Sequence, residues 1–359
     1  MARQLRTRWL VCLVLVSLVS AGCYSTGAKS IRAGRGNYNV AIQQTNAQQL
    51  LLNLVRLRYR DNPTFLIVSS VSTSFTLSVD AGAGVSGLGD LGVAGLSGGL
   101  AFAEKPTITY APLQGQQFVN LLMSPMSLRV PLLLYHSGWR IDRVFRVCLQ
   151  NMGRLRNAPG GASPTPSRAP EYERFAEATA LLGKLQSRGW IELGRADDDD
   201  EAIVLKFDAH ALALPEVQEL MRALDMPDNT ARVTLTTGTM SRPRTIPVVP
   251  RSVMGAMFFL SLGVKPPSED ERAGRVTVTL DEEGNRFDWT NVTRDLLEIR
   301  SSDDRPDNAY TGISYRGSWF YIDDSDLESK STFSLLAQIL ALQAGDVELT
   351  GPVLTLPVR

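Results

Sequence analysis

The chain has 359 residues, 44% of them hydrophobic and 21% charged, which is the balance of a globular protein and not of a disordered one. Lys plus Arg equal Asp plus Glu at 37 each, so no basic excess points to nucleic acid. Two histidines, His136 and His210, stand far apart among apolar neighbours, which argues against a His-rich metal site or a His-based triad.

At the N-terminus, Arg3, Arg6 and Arg8 make a positive n-region and Trp9 to Val19 an apolar h-region. Ser20, Ala21 and Gly22 then place small residues ahead of Cys23. This run resembles the bacterial type II signal peptide with its lipobox, in which the cysteine is acylated and becomes the new N-terminus. Ser20 stands where a leucine is commoner. The resemblance implies removal of residues 1–22, lipidation of Cys23 and residence at a membrane through more than one acyl chain, since a single chain anchors only marginally. Tyr24 stands where an aspartate would mark retention at the inner membrane, so the expected location is the outer membrane. An uncleaved anchor helix is the alternative, but the apolar stretch falls short of the roughly 20 residues a span needs. Without its leader the chain carries 34 Lys and Arg against 37 Asp and Glu. Cys12 leaves with the leader and Cys23 goes to lipid, so Cys148 has no disulfide partner within the chain and reads as a buried structural thiol.

Residues 23–36, with Gly27, Gly34 and Gly36, form a lipidated tether. An N-terminal region follows over 37–156. Thr45 and Gln48 have the capping-box spacing, Leu50, Leu51, Leu54 and Val55 recur at helical spacing, and Asp61-Asn62-Pro63 ends the helix. Thr64 to Val71 predicts a buried strand.

Strict alternation then runs through Phe75, Leu77, Val79, Ala81, Ala83 and Val85, with Thr76, Ser78, Asp80, Gly82, Gly84 and Ser86 between them. After a glycine-rich turn it resumes at Ala94, Leu96, Leu100 and Phe102. This is a long glycine-rich amphipathic β-hairpin over 75–103, each arm about the 9 to 11 residues of a transmembrane strand. Leu77, Val79, Val85, Leu96 and Leu100 are the candidate lipid-facing residues. The same pattern also suits an arm packed on the body or a flexible loop with accidental alternation.

Thr107 to Tyr110 predicts a short strand, and Gln116 to Met123, Leu128 to Tyr135 and Ile141 to Leu155 predict a helical cluster. Residues 157–170, with four prolines, read as a linker or loop. The C-terminal region, 171–359, predicts helices at Glu171 to Gln186, Pro215 to Leu224 and Ser252 to Leu262. Its expected strands lie at Trp190 to Leu193, Ala202 to Phe207, Ala231 to Thr237, Val276 to Leu280, Leu296 to Arg300, Tyr310 to Tyr315, Ser318 to Ile322 and Val353 to Leu356. Ser325 and Glu328 predict the cap of a last helix running to Ala344. The fold class is therefore α+β, with mixed helices and mostly antiparallel sheets.

The acidic run Asp197 to Glu201 lacks calcium-loop spacing and reads as a hairpin tip. Asp323, Asp324 and Asp326, beside Tyr315, Trp319 and Tyr321, are the nearest approach to a cation site, although acids also belong at a helix N-terminus. No nucleophile, phosphate loop or metal-spaced motif is present, so a non-enzyme without cofactors is expected. The expectation is an envelope lipoprotein in an outer-membrane or surface assembly, its hairpin contributing to an oligomeric pore as in oligomeric secretion lipoproteins, which the architecture resembles in outline. Its partners would be the membrane, through the lipid anchor, further copies of itself and other envelope proteins, with no nucleic acid. The alternative is a lipid-anchored binding module, facing the periplasm, for a small molecule, glycan or partner protein.

Overall fold

The computed structural model describes residues 39–85, 94–162, 169–196, 201–238, 243–344 and 354–357. The fold is α+β.

Helix α1 occupies residues 39–58, already formed ahead of the expected cap. Thr45 is interior to it, and its hydroxyl donates back to the carbonyls of Ala41 (2.9 Å) and Ile42 (3.0 Å). Leu50, Leu51, Leu54, Val55 and Leu57 bury one stripe. Arg60, at φ 62°, ends the helix in left-handed geometry, with Asp61 N–H donating to the Arg56 carbonyl at 2.9 Å.

The predicted strand at 64–71, the hairpin and the strand at 107–110 fuse into one ribbon, β1 (Leu66–Val85) paired antiparallel with β2 (Ala94–Pro112). Next come α2 (Gly115–Phe118), continued as a π-turn over Val119–Met123, then α3 (Arg129–His136) and α4 (Ile141–Cys148).

Here the expected helix to Leu155 is corrected. It stops at Cys148, and the chain turns into β3 (Leu149–Met152) and β4 (Leu155–Arg156). The cause is Arg251, whose side chain is 2% exposed. Its Nη1 donates to the carbonyls of Arg146 (2.8 Å), Val147 (3.3 Å) and Leu149 (2.8 Å), and its Nη2 to that of Asn157 (2.5 Å). Its backbone N–H takes the Cys148 carbonyl at 2.7 Å. A cation at a helix C-terminus satisfies the last carbonyls and complements the helix dipole, so the chain leaves the helix there.

The remaining body contains α5 (Glu173–Ser187), β5 (Ile191–Arg195), β6 (Ile203–Phe207), α6 (Ala209–Leu212), α7 (Pro215–Ala223), β7 (Arg232–Thr236) and β8 (Thr245–Pro250). Strands β3 to β8 form one sheet in the order β4-β3-β8-β7-β6-β5, antiparallel except for the β7–β8 pair. Strand β8 had no sequence signal, because Pro247 and Pro250 argue against a central strand. Both prolines still pair in it, Pro247 opposite Thr236 and Pro250 opposite Leu149, and the Pro247 carbonyl accepts from Gly153 N–H at 2.8 Å.

Helix α8 (Val253–Ser261) is the expected core helix, capped by Ser252, and short α9 (Ser268–Arg272) and α10 (Thr290–Thr293) follow. Between α8 and α9, Gly263 lies so close to another segment that a Cβ there would stand 2.2 Å from the Leu297 carbonyl oxygen. This contact sets the parallel bridge Val264↔Ile299. Where strands are expected at 276–280 and 296–300, the structure has only the bridge Leu280↔Arg286 and β9 (Arg300–Ser302). Asp295, at φ 62°, bends the chain just ahead of the second.

Strands β10 (Ala309–Tyr315) and β11 (Ser318–Asp323) turn at Arg316 and Gly317, both at positive φ, and order as β10-β11-β9. Helix α11 (Leu327–Ala344) is capped by Asp326, which accepts from Ser329 N–H (3.0 Å) and Oγ (2.6 Å), and not by the predicted Ser325–Glu328 pair. Strand β12 (Leu354–Pro357) adds antiparallel to the base of β2. A single core cluster runs from Leu50 to Ile339.

Burial brings Arg251 down to about 9, which leaves it charged at neutral pH, and the ring of Phe259 lies 4.0 Å from its guanidinium. Arg251→Ala should abandon several buried carbonyls at once and cost at least about 3 kcal/mol in urea unfolding, since each hydrogen bond to a charged group contributes roughly 1.5–3 kcal/mol.

Candidate functional site

The hairpin and its root are the most distinctive feature. The register pairs Leu77 with Phe102, Val79 with Leu100, Ala83 with Leu96 and Val85 with Ala94. Residues directly opposite in an antiparallel pair share one face, so the apolar rows of the two strands coincide. The other face takes Thr76↔Ala103, Ser78↔Ala101, Asp80↔Gly99, Gly82↔Ser97 and Gly84↔Gly95. Across these pairs Asp80 is the only charged residue.

The root is held by two amides one helical turn apart on α1. Asn53 Nδ2 donates to the Thr64 carbonyl (2.9 Å) while its Oδ1 accepts from Thr64 N–H (3.0 Å). Gln49 does the same for Leu66, at 3.2 Å and 2.9 Å. The i, i+4 spacing on α1 matches the i, i+2 spacing of an extended chain, so two side chains stand in for a neighbouring strand.

Beyond the root, α1 ends in a cluster of tyrosine–carboxylate pairs. Tyr59 donates to Asp270, which also accepts from Arg275 Nη1 at 2.5 Å. Tyr315 donates to Asp61, which also accepts from Arg316 Nη2 at 2.9 Å. Tyr59 meets the rings of Tyr315 and Phe320 edge-on at 5.6 Å and 6.0 Å. The Tyr315 hydroxyl, followed by Arg316, holds the Asp61 carboxyl below the usual carboxylate range. Burial alone would raise Asp270, but the bonds from Tyr59 and Arg275 bring it below that range as well. Depressed carboxylates contribute stability above their unfolded pKa and lose it as pH falls through the folded value, so acid that protonates Asp61 and Asp270 should loosen this joint. Every polar group in it has a partner within the cluster, which makes it a latch between α1, α9 and the β10–β11 turn.

The predicted cation-site residues part company. Asp323, buried, accepts from Arg300 (3.2 Å), Asn308 (2.9 Å) and the Ser325 N–H (2.9 Å). Asp324 is exposed and pairs with Lys330 at 2.6 Å, and Asp326 caps α11. All three acids do structural work, and among the described residues no group of three or more His, Cys, Asp or Glu is placed to hold a metal ion. Cys148 is free and fully buried, its thiol pushed up to about 12 by desolvation. Cys23 and the run Asp197 to Asp200 lie outside the described residues. Among the described residues no helix is long and apolar enough to cross a membrane.

The amide clamp went unnoticed in the sequence. Its signal, Gln49 and Asn53 four apart on an otherwise apolar stripe, was present. Compared with protein-family models, with curated proteins and with solved structures, the chain matches none of them.

Asn53→Ala should strand the backbone of Thr64, cost about 1–3 kcal/mol and speed amide exchange at the hairpin root, read by urea unfolding and hydrogen exchange. A bulky thiol reagent should leave Cys148 unmodified in the native protein and label it in urea.

Proposed function

We propose that the chain is a lipid-anchored protein of the bacterial outer membrane, attached through Cys23, which contributes its hairpin to an oligomeric ring. The observation that carries this reading is the register of β1 and β2, which puts the two apolar rows on one face and the small or polar rows on the other over the ten pairs from Thr76↔Ala103 to Val85↔Ala94. Ten pairs match the 9–11 residues of a tilted transmembrane strand. The whole of β1, at roughly 3.3 Å per residue, reaches about 65 Å, so the root can stay with the body while the tip enters lipid.

Edges support the same reading. Strand β12 covers β2 only at Thr107 to Tyr110, and β1 is the outer strand of its sheet. A glycine-rich two-stranded ribbon is marginal by itself, whereas side-by-side pairing of copies would satisfy both edges and closure would remove them. The chemistry asked of the protein is passage through a lumen, without a catalytic residue.

A second reading, a lipid-anchored binding module with the hairpin as an arm, draws support from the pockets in the body. Native mass of the detergent-extracted protein separates the two, with a ring expected from the first and a monomer from the second. Within the pore reading, Leu77→Arg and Leu100→Arg should block assembly, at a cost of roughly 2–4 kcal/mol per copy at mid-depth. Ser78→Arg and Ser97→Arg should assemble and alter conductance in a planar bilayer. Wild-type protein that is monomeric and conducts nothing would overturn the pore.

A further inference from the structure

Arg58, in the last turn of α1, lines a pocket of about 510 Å³ bounded by the chain after α8 and by residues around α10. It is 9% exposed. Its Nη1 donates to the Thr277 carbonyl at 3.0 Å, while its Nε is buried without a partner. Among the described residues it enters no ion pair within 4.0 Å. Desolvation lowers its pKa, opposed by the field of Glu271, yet a guanidinium keeps its proton in proteins.

An uncompensated buried cation is costly, and the fold handles its other buried arginines differently: Arg143 is paired with Glu328. Arg251 also leaves its Nε without a partner, but its terminal nitrogens have four carbonyls and its guanidinium lies over the ring of Phe259. Arg58 has one carbonyl. Two acids share the pocket, but both are engaged: Glu271 takes Arg286 Nη2 at 2.5 Å, and Asp288 takes the N–H (2.9 Å) and hydroxyl (2.7 Å) of Thr290. The lining also includes two aromatic rings, Phe287 edge-on to Trp289 at 5.2 Å. Trp289 has already given its Nε1–H to Thr279 at 2.8 Å.

We propose that this pocket binds a small organic oxyanion, with a carboxylate or phosphate head supplying the missing charge at Arg58 and an apolar body against Phe287 and Trp289. The site is separate from the hairpin and does not depend on the pore. The chemistry calls for a head that accepts several hydrogen bonds and a body small enough for the pocket.

Isothermal titration of the full-length, detergent-extracted protein with phenyl phosphate, phenylacetate and benzyl alcohol tests it. The two anions should bind saturably and the neutral alcohol at least tenfold more weakly, and the tighter anion identifies the head group. Arg58→Gln should weaken the anions at least tenfold. Should that variant fail to fold, Arg286→Gln, at an exposed position, should weaken them severalfold by leaving Glu271 to face the site. Glu271→Gln should tighten them severalfold, a gain that a purely structural arginine would not produce. No saturable binding of either anion, equal binding of the alcohol, unchanged anion affinity in a folded Arg58→Gln, or anion affinities unchanged in both Arg286→Gln and Glu271→Gln would overturn the proposal.

Discussion

The buried guanidinium of Arg251 is the constraint on which the body is built. It sits where α4 ends, where β3 begins and where β8 passes into α8, and it gathers carbonyls from Arg146, Val147, Leu149 and Asn157. A cation placed there is tolerable only because the dipoles of a helix end and a strand start converge on it. In return it fixes the direction in which the chain leaves α4, and so it fixes β3 beside β8 in the middle of the six-stranded sheet. Asn157 belongs to the same arrangement, its Nδ2 donating to the carbonyls of Arg146 (2.8 Å) and Leu149 (2.7 Å). The residue at the start of the Pro-rich stretch is thereby tied into the core.

From that centre further polar joints tie the outer elements to the body. Arg143 reaches Glu328 and binds α4 to α11. Arg58 and the two tyrosine–carboxylate pairs bind the end of α1 to the 270–277 segment and to the β10–β11 turn. Gln49 and Asn53 then fix the first residues of the hairpin. A long ribbon needs such a root, because hydrogen bonding along two strands sets register but not the direction in which the ribbon leaves the body.

Arg251 and Arg58 are therefore buried in different ways. Arg251 gives both terminal nitrogens to backbone carbonyls and organises the fold; Arg58 borders a pocket with aromatic side chains and has a single carbonyl. The difference lies in surroundings and not in residue type, and it separates scaffold from candidate binding site.

The amino-acid sequence by itself determined the α+β class, the amphipathic hairpin, helices such as α5, α7 and α8, and the hairpin turn at Arg316-Gly317. These are local: a period of 2 or 3.6 and a residue suited to positive φ act within a few neighbours. Tertiary structure decided the rest. Helix α4 stops at Cys148 because an arginine about a hundred residues later caps it, and β8 forms despite two prolines because β3 and β7 flank it. Asp323, Asp324 and Asp326 look like one acidic site in sequence, yet their partners, Arg300, Asn308, Lys330 and the turn of α11, assign each a separate structural task. The pocket at Arg58 was illegible for the same reason. Whether an arginine is saturated or left wanting depends on which distant carbonyls and carboxylates pack against it, and no local pattern encodes that.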